Sequence, residues 1–386
     1  MSRTPDELAE AALKIMNEGD PRDARKLLME AVEAAPDRAD LLHALGVVQL
    51  QLGEPSLGLR LIEEAVGRAE QQLNDPARHE QALAMLPGFL LALAAACEDL
   101  GEASAAKDAY YRVMSLDPGN PRARGGYANL LLGLGDLDGG INELETYIEE
   151  DRDEDQFLEG AQVLLDSIRS FVRNDIHPRE FLAAHHGSYN QFFDYHAKEQ
   201  EKLGWIAEAA RMQRAPDGRV VPMIPEGARS YAGVRVDLVD PNTGQIGQVG
   251  DQPMVVALAE YPALARAQIL FKWRELAFDV RVSSQAPWDQ LPIHIALRTS
   301  DGLEDLDEVM GRWYLAGFNG EFGKQDMGRF HYISDPDVRS DNKAAVYHVD
   351  LGRAELACID DLLRRLTILN NQHPIEKVIF GRGYLG

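Results

Sequence analysis

Residues 42–62 read LHALGVVQLQLGEPSLGLRLI, and this stretch decides the fold of the N-terminal half. Two apolar patterns of helical spacing meet at Gly53. A glycine there permits the left-handed cap with which a helix ends. Gly46 and Gly58, on either side of the turn, are small enough to let two antiparallel helices approach closely, and Ile62 is large enough to fill a gap beside them. The stretch predicts a pair of packed helices.

The same pattern recurs along the N-terminal half. The equivalent turn glycines are Gly19, Gly53, Gly101 and Gly135, which are 34, 48 and 34 residues apart. The middle interval is one period of 34 plus an insertion of 14 residues, which we place near 71–84. A small residue follows each glycine by five places and a large one by nine: Ala24, Gly58, Ala106 and Gly140, then Leu28, Ile62, Tyr110 and Leu144. A fixed period of this length predicts a helical repeat array.

This array resembles the tetratricopeptide repeat family over residues 5–154, as four repeats with a capping helix predicted at 156–172. The pattern is degenerate, since Leu42 and Leu90 stand where the consensus has tryptophan. The resemblance implies a right-handed superhelix whose concave face binds an extended peptide or a helix. It also implies that the groove residues lie on the first helix of each pair. These are Leu13, Met16, Asp40, His43, Val47, Leu50, Leu91, Glu98, Arg122, Asn129 and Leu132, with Asp6, Ala9, Gly88, Ala95 and Gly125 at the remaining places.

The groove residues limit what kind of partner is expected. Some members of the family hold a C-terminal carboxylate with lysine and asparagine, but no lysine occupies these places, and only Arg122 and Asn129 could contribute. We therefore expect no such clamp. A fairly apolar groove ringed by acid would bind a protein or peptide segment. The alternative is that the array docks on the C-terminal half of its own chain.

The charge of the chain is concentrated in this array. The formal net charge is −24. Residues 1–178 hold 34 acidic and 16 basic residues, a balance of −18, and residues 179–386 hold 29 and 23, a balance of −6. Acid repels phosphate backbones and anionic membranes, so the expected partners exclude both nucleic acid and membrane and include basic proteins. The most apolar window, 86–96, is too short to span a bilayer, and a cytoplasmic location is expected.

The C-terminal half has a different organisation. We predict a helical repeat domain over 1–176, a helical connector over 177–213 and an α+β domain over 214–386. Strands are expected at 234–239, 254–259 and 277–282, with a helix over 263–273 between the last two. Residues 291–386 show the order β-α-β-β-α-β, which is the ferredoxin-like arrangement. The fold class is therefore a tetratricopeptide-like α-solenoid followed by an α+β domain, and this arrangement names no function.

No catalytic constellation can be identified in the sequence, so the catalytic residues are unknown. Four histidines gather at 177–196, and His185 and His196 are weak metal candidates, but their spacing fits no known ligand motif. No nucleotide-binding glycine loop and no nucleophile elbow occur, and no cofactor is predicted. The two cysteines, Cys97 and Cys358, are expected to be buried free thiols.

Three hypotheses for function follow from these patterns. The first is a cytoplasmic interaction or adaptor protein, whose repeats bind a partner and whose α+β half is an effector or a second binding module. The second is an enzyme of unknown type with its site in the C-terminal half. The third is an acidic regulator that binds a nuclease or another basic enzyme.

Overall fold

The computed structural model describes residues 3–18, 21–149, 158–202, 211–214, 220–223, 236–239, 246–249, 258, 260–322, 330–339, 341–352 and 354–385. The chain divides into two compact units, Met1–Gln162 and Val163–Leu385. The first is helical, and the second combines sheets with helices. The fold class predicted from the sequence, helical repeats followed by a mixed region, is confirmed. The domain boundaries placed at 176/177 and 213/214 stay predictions.

The described part of the first unit consists of helices that follow one another in pairs. They are α1 (Pro5–Glu18), α2 (Pro21–Ala34), α3 (Ala39–Gln51), α4 (Pro55–Gln72), α5 (His79–Asp99), α6 (Ala103–Leu116), α7 (Pro121–Leu134) and α8 (Leu137–Glu149). The two helices of each pair pack on one another, and each pair contacts the next. The first helices α3, α5 and α7 also contact one another in turn. They therefore form one continuous row.

The glycine and small-residue columns have the roles predicted for them. Gly53, Gly101 and Gly135 have φ angles of 77°, 73° and 81°, the left-handed conformation of a helix cap. Gly19 lies outside the described residues. Where α3 crosses α4, a Cβ on Gly46 would lie 3.0 Å from the carbonyl oxygen of Gly58. The close crossing therefore depends on glycine on both helices.

The 14-residue insertion is absorbed mainly by longer helices. Helix α4 has 18 residues and α5 has 21, whereas α2 and α3 have 14 and 13. Helix α5 is long and apolar enough to cross a membrane, which the 11-residue window of the sequence did not indicate. It nevertheless packs between α4 and α6, with Leu86, Phe89, Leu90 and Ala94 buried. Part of its apolar surface therefore serves packing within the array.

The second unit begins with two helices that cover part of a sheet. Most of α9 (Leu158–Arg173) and all of α10 (Arg179–Lys202) belong to it. Within the connector predicted to be helical over 177–213, α10 runs through Gly187 without a break. Phe171 of α9 and Phe181 of α10 pack against Phe271, with ring centroids 4.4 and 5.3 Å from it. The helix predicted to cap the repeats therefore has its aromatic contacts in the second unit.

Two short hairpins precede the main sheet. Strands β1 (Arg211–Arg214) and β2 (Val220–Met223) pair antiparallel, as do β3 (Val236–Val239) and β4 (Ile246–Val249). The second hairpin confirms the strand predicted at 234–239, and the turn between β3 and β4 lies outside the described residues. The strand predicted at 254–259 falls almost entirely outside them as well.

The main sheet lies after residue 269. Its strands are β5 (Leu270–Trp273), β6 (Asp279–Ser283), β7 (Leu291–Leu297), β8 (Tyr332–Ile333), β9 (Asp337–Val338), β10 (Ala344–Asp350) and β11 (Ile375–Phe380). They lie in the order β5-β6-β11-β7-β10-β8, and β9 also pairs with β10. Neighbours run antiparallel except β6 and β11, which are parallel. Helices α11 (Leu303–Phe318) and α12 (Ala357–Leu369) complete the order β7-α11-β8-β10-α12-β11, with β9 inserted.

The helix predicted over 263–273 is wrong. Residues Pro262–Arg266 form a short 3-10 helix, and Leu270–Trp273 form strand β5. The reason is not local, because β5 is held by its pairing with β6, which places Phe271 opposite Val282. A strand partner of this kind overrides the periodicity of a short apolar segment.

Candidate functional site

The candidate site is the row of first helices in the repeat array. Within it Leu13, Arg122 and Asn129 are exposed, and Leu13 retains 54% of its accessible surface. A second group is half-buried: Met16, Asp40, His43, Val47, Leu50, Leu91 and Glu98. Leu132 is fully buried. Most of the predicted groove residues are therefore accessible to a ligand to some degree.

Leu50 and Leu132 occupy equivalent places and fill equivalent gaps. A Cβ on Gly58 would lie 2.7 Å from Cδ2 of Leu50, and one on Gly140 would lie 2.6 Å from Cδ2 of Leu132. Each leucine thus packs into the second helix of its own pair. Leu132 contributes to that packing and offers no surface to a ligand.

Helix α5 presents an unusually apolar surface. Only 39% of its most apolar 18-residue window is buried. Gly88 and Ala95 are exposed, and Leu91 between them is half-buried. A helix that is hydrophobic on nearly all sides normally has all its faces covered. Here the covering on the groove side is incomplete.

His43 lies on α3 beside this apolar surface. Its ring stacks on Phe89 of α5 with centroids 4.4 Å apart and an interplanar angle of 23°. Its Nε2 atom is buried and has no hydrogen-bond partner. Burial lowers the pKa of His43 below its ordinary value, and the charge of Asp40 opposes this only in part. The neutral ring therefore acts as a flat, mainly apolar part of the groove.

Asp40 is already engaged within the array. Arg38 donates from Nε to Oδ1 of Asp40 at 2.7 Å and from Nη2 to Oδ2 at 2.6 Å, and it reaches Asp6 of α1 at 2.9 Å. These hydrogen bonds hold the pKa of Asp40 below its ordinary value. Arg38 was missed by the sequence analysis, because its link to Asp6 spans two repeats. Asp40 therefore contributes more to joining α1 and α3 than to binding a basic partner.

The far end of the row is more polar. Tyr110 of α6 donates a hydrogen bond to Oε1 of Glu98 at 2.5 Å. Arg124 pairs with Glu143 at 2.9 Å, and both side chains are largely buried. Within the described residues, Arg122 and Asn129 of α7 have no side-chain partner and remain exposed. The site thus combines an apolar region on α1, α3 and α5 with free polar groups on α7.

The histidines of the second unit form no metal site among the described residues. His185 is buried, and its Nε2 accepts a hydrogen bond from the backbone N–H of Ala286 at 3.1 Å. His186 packs edge-on against Trp288 with centroids 4.9 Å apart. The side chain of His196 lies outside the described part. His185 therefore joins α10 to the sheet, and its Nε2 lone pair is already used.

Comparison with known families identifies a match in part of the helical repeat region. Residues 98–164 match the tetratricopeptide repeat family model. The helical region resembles a tetratricopeptide solenoid. The matched segment runs from the end of α5 into α9, so it contains Glu98, Arg122, Asn129 and Leu132 of the groove. No curated protein matches the chain in sequence.

The solved structures that resemble part of this chain are distant in sequence. The MamA protein is 20% identical, with a TM-score of 0.33 over 38% of this chain and 72% of that chain. YrrB, described as a tetratricopeptide protein with an unusual peptide-binding site, is 13% identical, with a TM-score of 0.33 over 44% and 77%. The first tetratricopeptide domain of Spaghetti (RPAP3), bound to the HSP90 peptide SRMEEVD, is 19% identical, with a TM-score of 0.29 over 34% and 92%. Similarities this low carry no argument about the function of this chain.

Proposed function

We propose that this protein is an interaction protein whose tetratricopeptide array binds a segment of a partner protein along its first helices. The observation that carries the proposal is the incompletely covered apolar surface of that row. Leu13 is 54% exposed, and most of the apolar window of α5 is not buried. Apolar surface left exposed along one row of helices is an argument for an interaction site.

The charge of the array supports a basic partner. Residues 1–178 carry a balance of −18, so long-range attraction would speed the approach of a positively charged protein. Apolar contacts in the groove would then hold the complex. Such a complex should form more slowly as salt rises, while its dissociation changes little.

The second unit is proposed to be an effector or a second binding module. We assign strands β11-β7-β10-β8 to a ferredoxin-like arrangement, because they lie in that order and every neighbouring pair is antiparallel. We place the protein in the cytoplasm, as its composition suggests.

Site-specific photo-crosslinking tests the proposed function. A photoreactive phenylalanine derivative would replace Leu13 or Ala95 on the row of first helices, and Met29 of α2, which is 46% exposed, would be the control. We expect the same partner to be crosslinked from both groove positions and not from position 29. Equal crosslinking from all three positions, or none from the groove, would contradict the proposal.

A further inference from the structure

The two faces of the main sheet differ in what they carry. Residues directly opposite one another on neighbouring strands share a face, and the registers put Phe271 and Tyr347 on the same one. There Phe271 packs on Phe171 of α9, and Tyr347 hydrogen-bonds to Asp307 of α11. The opposite face, which we call the basic face, carries Lys272, Arg281, His294, Arg339, His348 and Lys377. This is a local departure from the −6 balance of residues 179–386.

The cations of the basic face lie close to one another. Lys377 lies opposite Ala296, and Ala296 lies opposite Ala344. The backbone N–H of Arg339 donates to the carbonyl oxygen of Ala344 at 3.0 Å, so Arg339 ends this row. The row spans three strand spacings, about 14 Å between backbones, which the two long side chains can bridge from its ends. Burial lowers the pKa of Lys377, and the charges of Arg281 and Arg339 lower it further. An anion between these cations would relieve their repulsion.

Some of these groups already have partners. Arg281 pairs with Asp279 at 3.0 Å, and both side chains are largely buried. Nζ of Lys377 donates to the carbonyl oxygen of Leu385 at 2.8 Å, which uses one of its three N–H groups. A second acidic residue, Asp337, is exposed on β9. Lys377 therefore keeps donors for a ligand, whereas Arg281 contributes mainly its charge.

His294 lies beside the row on β7 and has an unused acceptor. Its Nε2 atom is buried and has no hydrogen-bond partner among the described residues. Burial, followed by the charges of His348 and Arg339, lowers the pKa of His294 to about 4, so the ring is neutral. A hydrogen bond to the backbone of Gly381 raises this pKa, so the ring donates it, and Nδ1 is the donor because Nε2 has no partner. Nε2 then carries a lone pair, which is costly to leave unpaired and which a ligand would satisfy.

We propose that the basic face binds a phosphate group, whose charged oxygens pair with Arg339 and Lys377 and whose P–OH donates a hydrogen bond to Nε2 of His294. Arginine and lysine are the usual protein partners of phosphate. A phosphate monoester has a second pKa of about 6, so near that pH it carries both a negative charge and a hydroxyl. Sulfate has no hydroxyl at this pH and would leave Nε2 unpaired. The site belongs to the second unit, so this inference goes beyond the proposed function and does not depend on it.

Calorimetric titration of the full chain at pH 6 and low salt tests the site. The probes are inorganic phosphate, methyl phosphate and sulfate. We expect one phosphate to bind per chain and sulfate to bind at least tenfold more weakly. Whichever of inorganic phosphate and methyl phosphate binds more tightly shows whether the site takes the free anion or an ester.

Three variants connect this binding to the named residues. Arg339→Gln should weaken the binding of phosphate at least tenfold. Arg312→Gln on α11 is the matched control, because Arg312 is an exposed arginine of the same unit, and it should leave binding within twofold of normal. His294→Phe keeps a ring but lacks Nε2, so phosphate and sulfate should then bind within twofold of each other. Circular dichroism and thermal unfolding would verify that the variants are folded.

Several results would overturn the inference. They are the absence of saturable phosphate binding, equal binding of sulfate by the unchanged chain, and undiminished binding by Arg339→Gln. Tighter binding of a hexaglutamate peptide than of phosphate would also overturn it, because the basic face would then be a docking surface for an acidic protein. If His294→Phe did not fold, the sulfate comparison on the unchanged chain and the Arg339→Gln variant would still decide. Crosslinking from Leu13 and Ala95 of the array would be unaffected by any of these results.

Discussion

Gly46 and Gly58 face each other across α3 and α4, and a Cβ added to either one would crowd the backbone of the other. A Cβ on Gly46 would lie 3.0 Å from the carbonyl oxygen of Gly58, and a Cβ on Gly58 would lie 2.9 Å from that of Gly46. Real Cβ atoms do not approach backbone oxygens at the shorter distance without a shift of the helix. The second repeat is therefore built around a pair of glycines that differ in sequence position by 12.

Replacing Gly58 should loosen this crossing. We expect Gly58→Leu to lower the free energy of unfolding by about 1–3 kcal/mol, because the added side chain meets the backbone of α3 and Leu50 and must push the helices apart. Urea denaturation followed by circular dichroism at 222 nm would measure the change. Gly67→Leu, on the same helix but in open space, is the control and should be neutral or slightly stabilising. Equal effects of the two changes would show that the crossing is not tight.

Phe171 should hold α9 on the second unit. It is 2% exposed and contacts Phe181, Tyr261 and Phe271, with centroids 4.4 to 5.6 Å apart. Phe171→Ala removes a buried ring and should cost about 3–5 kcal/mol of unfolding free energy. The neighbouring Val172→Ala is the control, because Val172 is 45% exposed and should change stability by about 0.5 kcal/mol or less.

Fragments would place the domain boundary. We expect residues 158–386 to unfold cooperatively, and residues 177–386, which lack α9, to unfold without a clear transition. Calorimetry of the two fragments measures this. A cooperative transition of the shorter fragment, at the temperature of the longer one, would instead support the boundary predicted at 176/177.

The repeat array could be predicted from the sequence because its signals are local and recur. Gly53 needs a left-handed conformation, Gly46 needs a close neighbour, and the period repeats both requirements. The positions of the groove residues could be assigned from the same repeating pattern. The role of Arg38 could not be predicted, because its hydrogen bond to Asp6 joins residues 32 apart and depends on how two repeats stack.

The second unit was less predictable because its interactions are nonlocal. The amphipathic pattern of α9 predicts that one side of the helix is buried, but it does not identify the residues that cover that side. Phe271, which contacts Phe171 in the structure, is 100 residues away from it in sequence. The apolar pattern of the segment that forms β5 favours a helix, and its pairing with β6 cannot be predicted from that segment alone. The role of His185 depends on a backbone N–H 101 residues further along the chain.

His185 should make the second unit sensitive to acid. Burial lowers the pKa of His185 from 6.5 to about 4, so the folded chain keeps this ring neutral where the unfolded chain protonates it. The unfolded state then binds more protons between pH 6.5 and 4, and stability falls as pH falls. Between pH 7 and 5 the loss from this residue is about 2 kcal/mol.

A comparison of variants isolates this loss from other titrations. His185→Gln keeps an oxygen that can accept from Ala286, and we expect it to reduce the fall in unfolding free energy between pH 7 and 5 by about 2 kcal/mol. The unchanged chain, measured in parallel at each pH, is the reference. If His185→Gln lost as much stability between pH 7 and 5 as the unchanged chain, His185 would not be the group responsible.

The two cysteines should be unreactive in the folded protein. Cys97 and Cys358 are 1% and 0% exposed. Burial, followed by the charge of Glu102, raises the pKa of Cys97 to about 11, and burial raises that of Cys358 well above its ordinary value. At pH 8 the thiolate of Cys97 is then about one part in a thousand, and the thiolate is the reactive form. We expect Ellman's reagent to modify neither thiol in native protein and both after denaturation in guanidinium. Rapid modification of one thiol per native chain would mean that the helix carrying it opens, and Cys97→Ala and Cys358→Ala would identify which one.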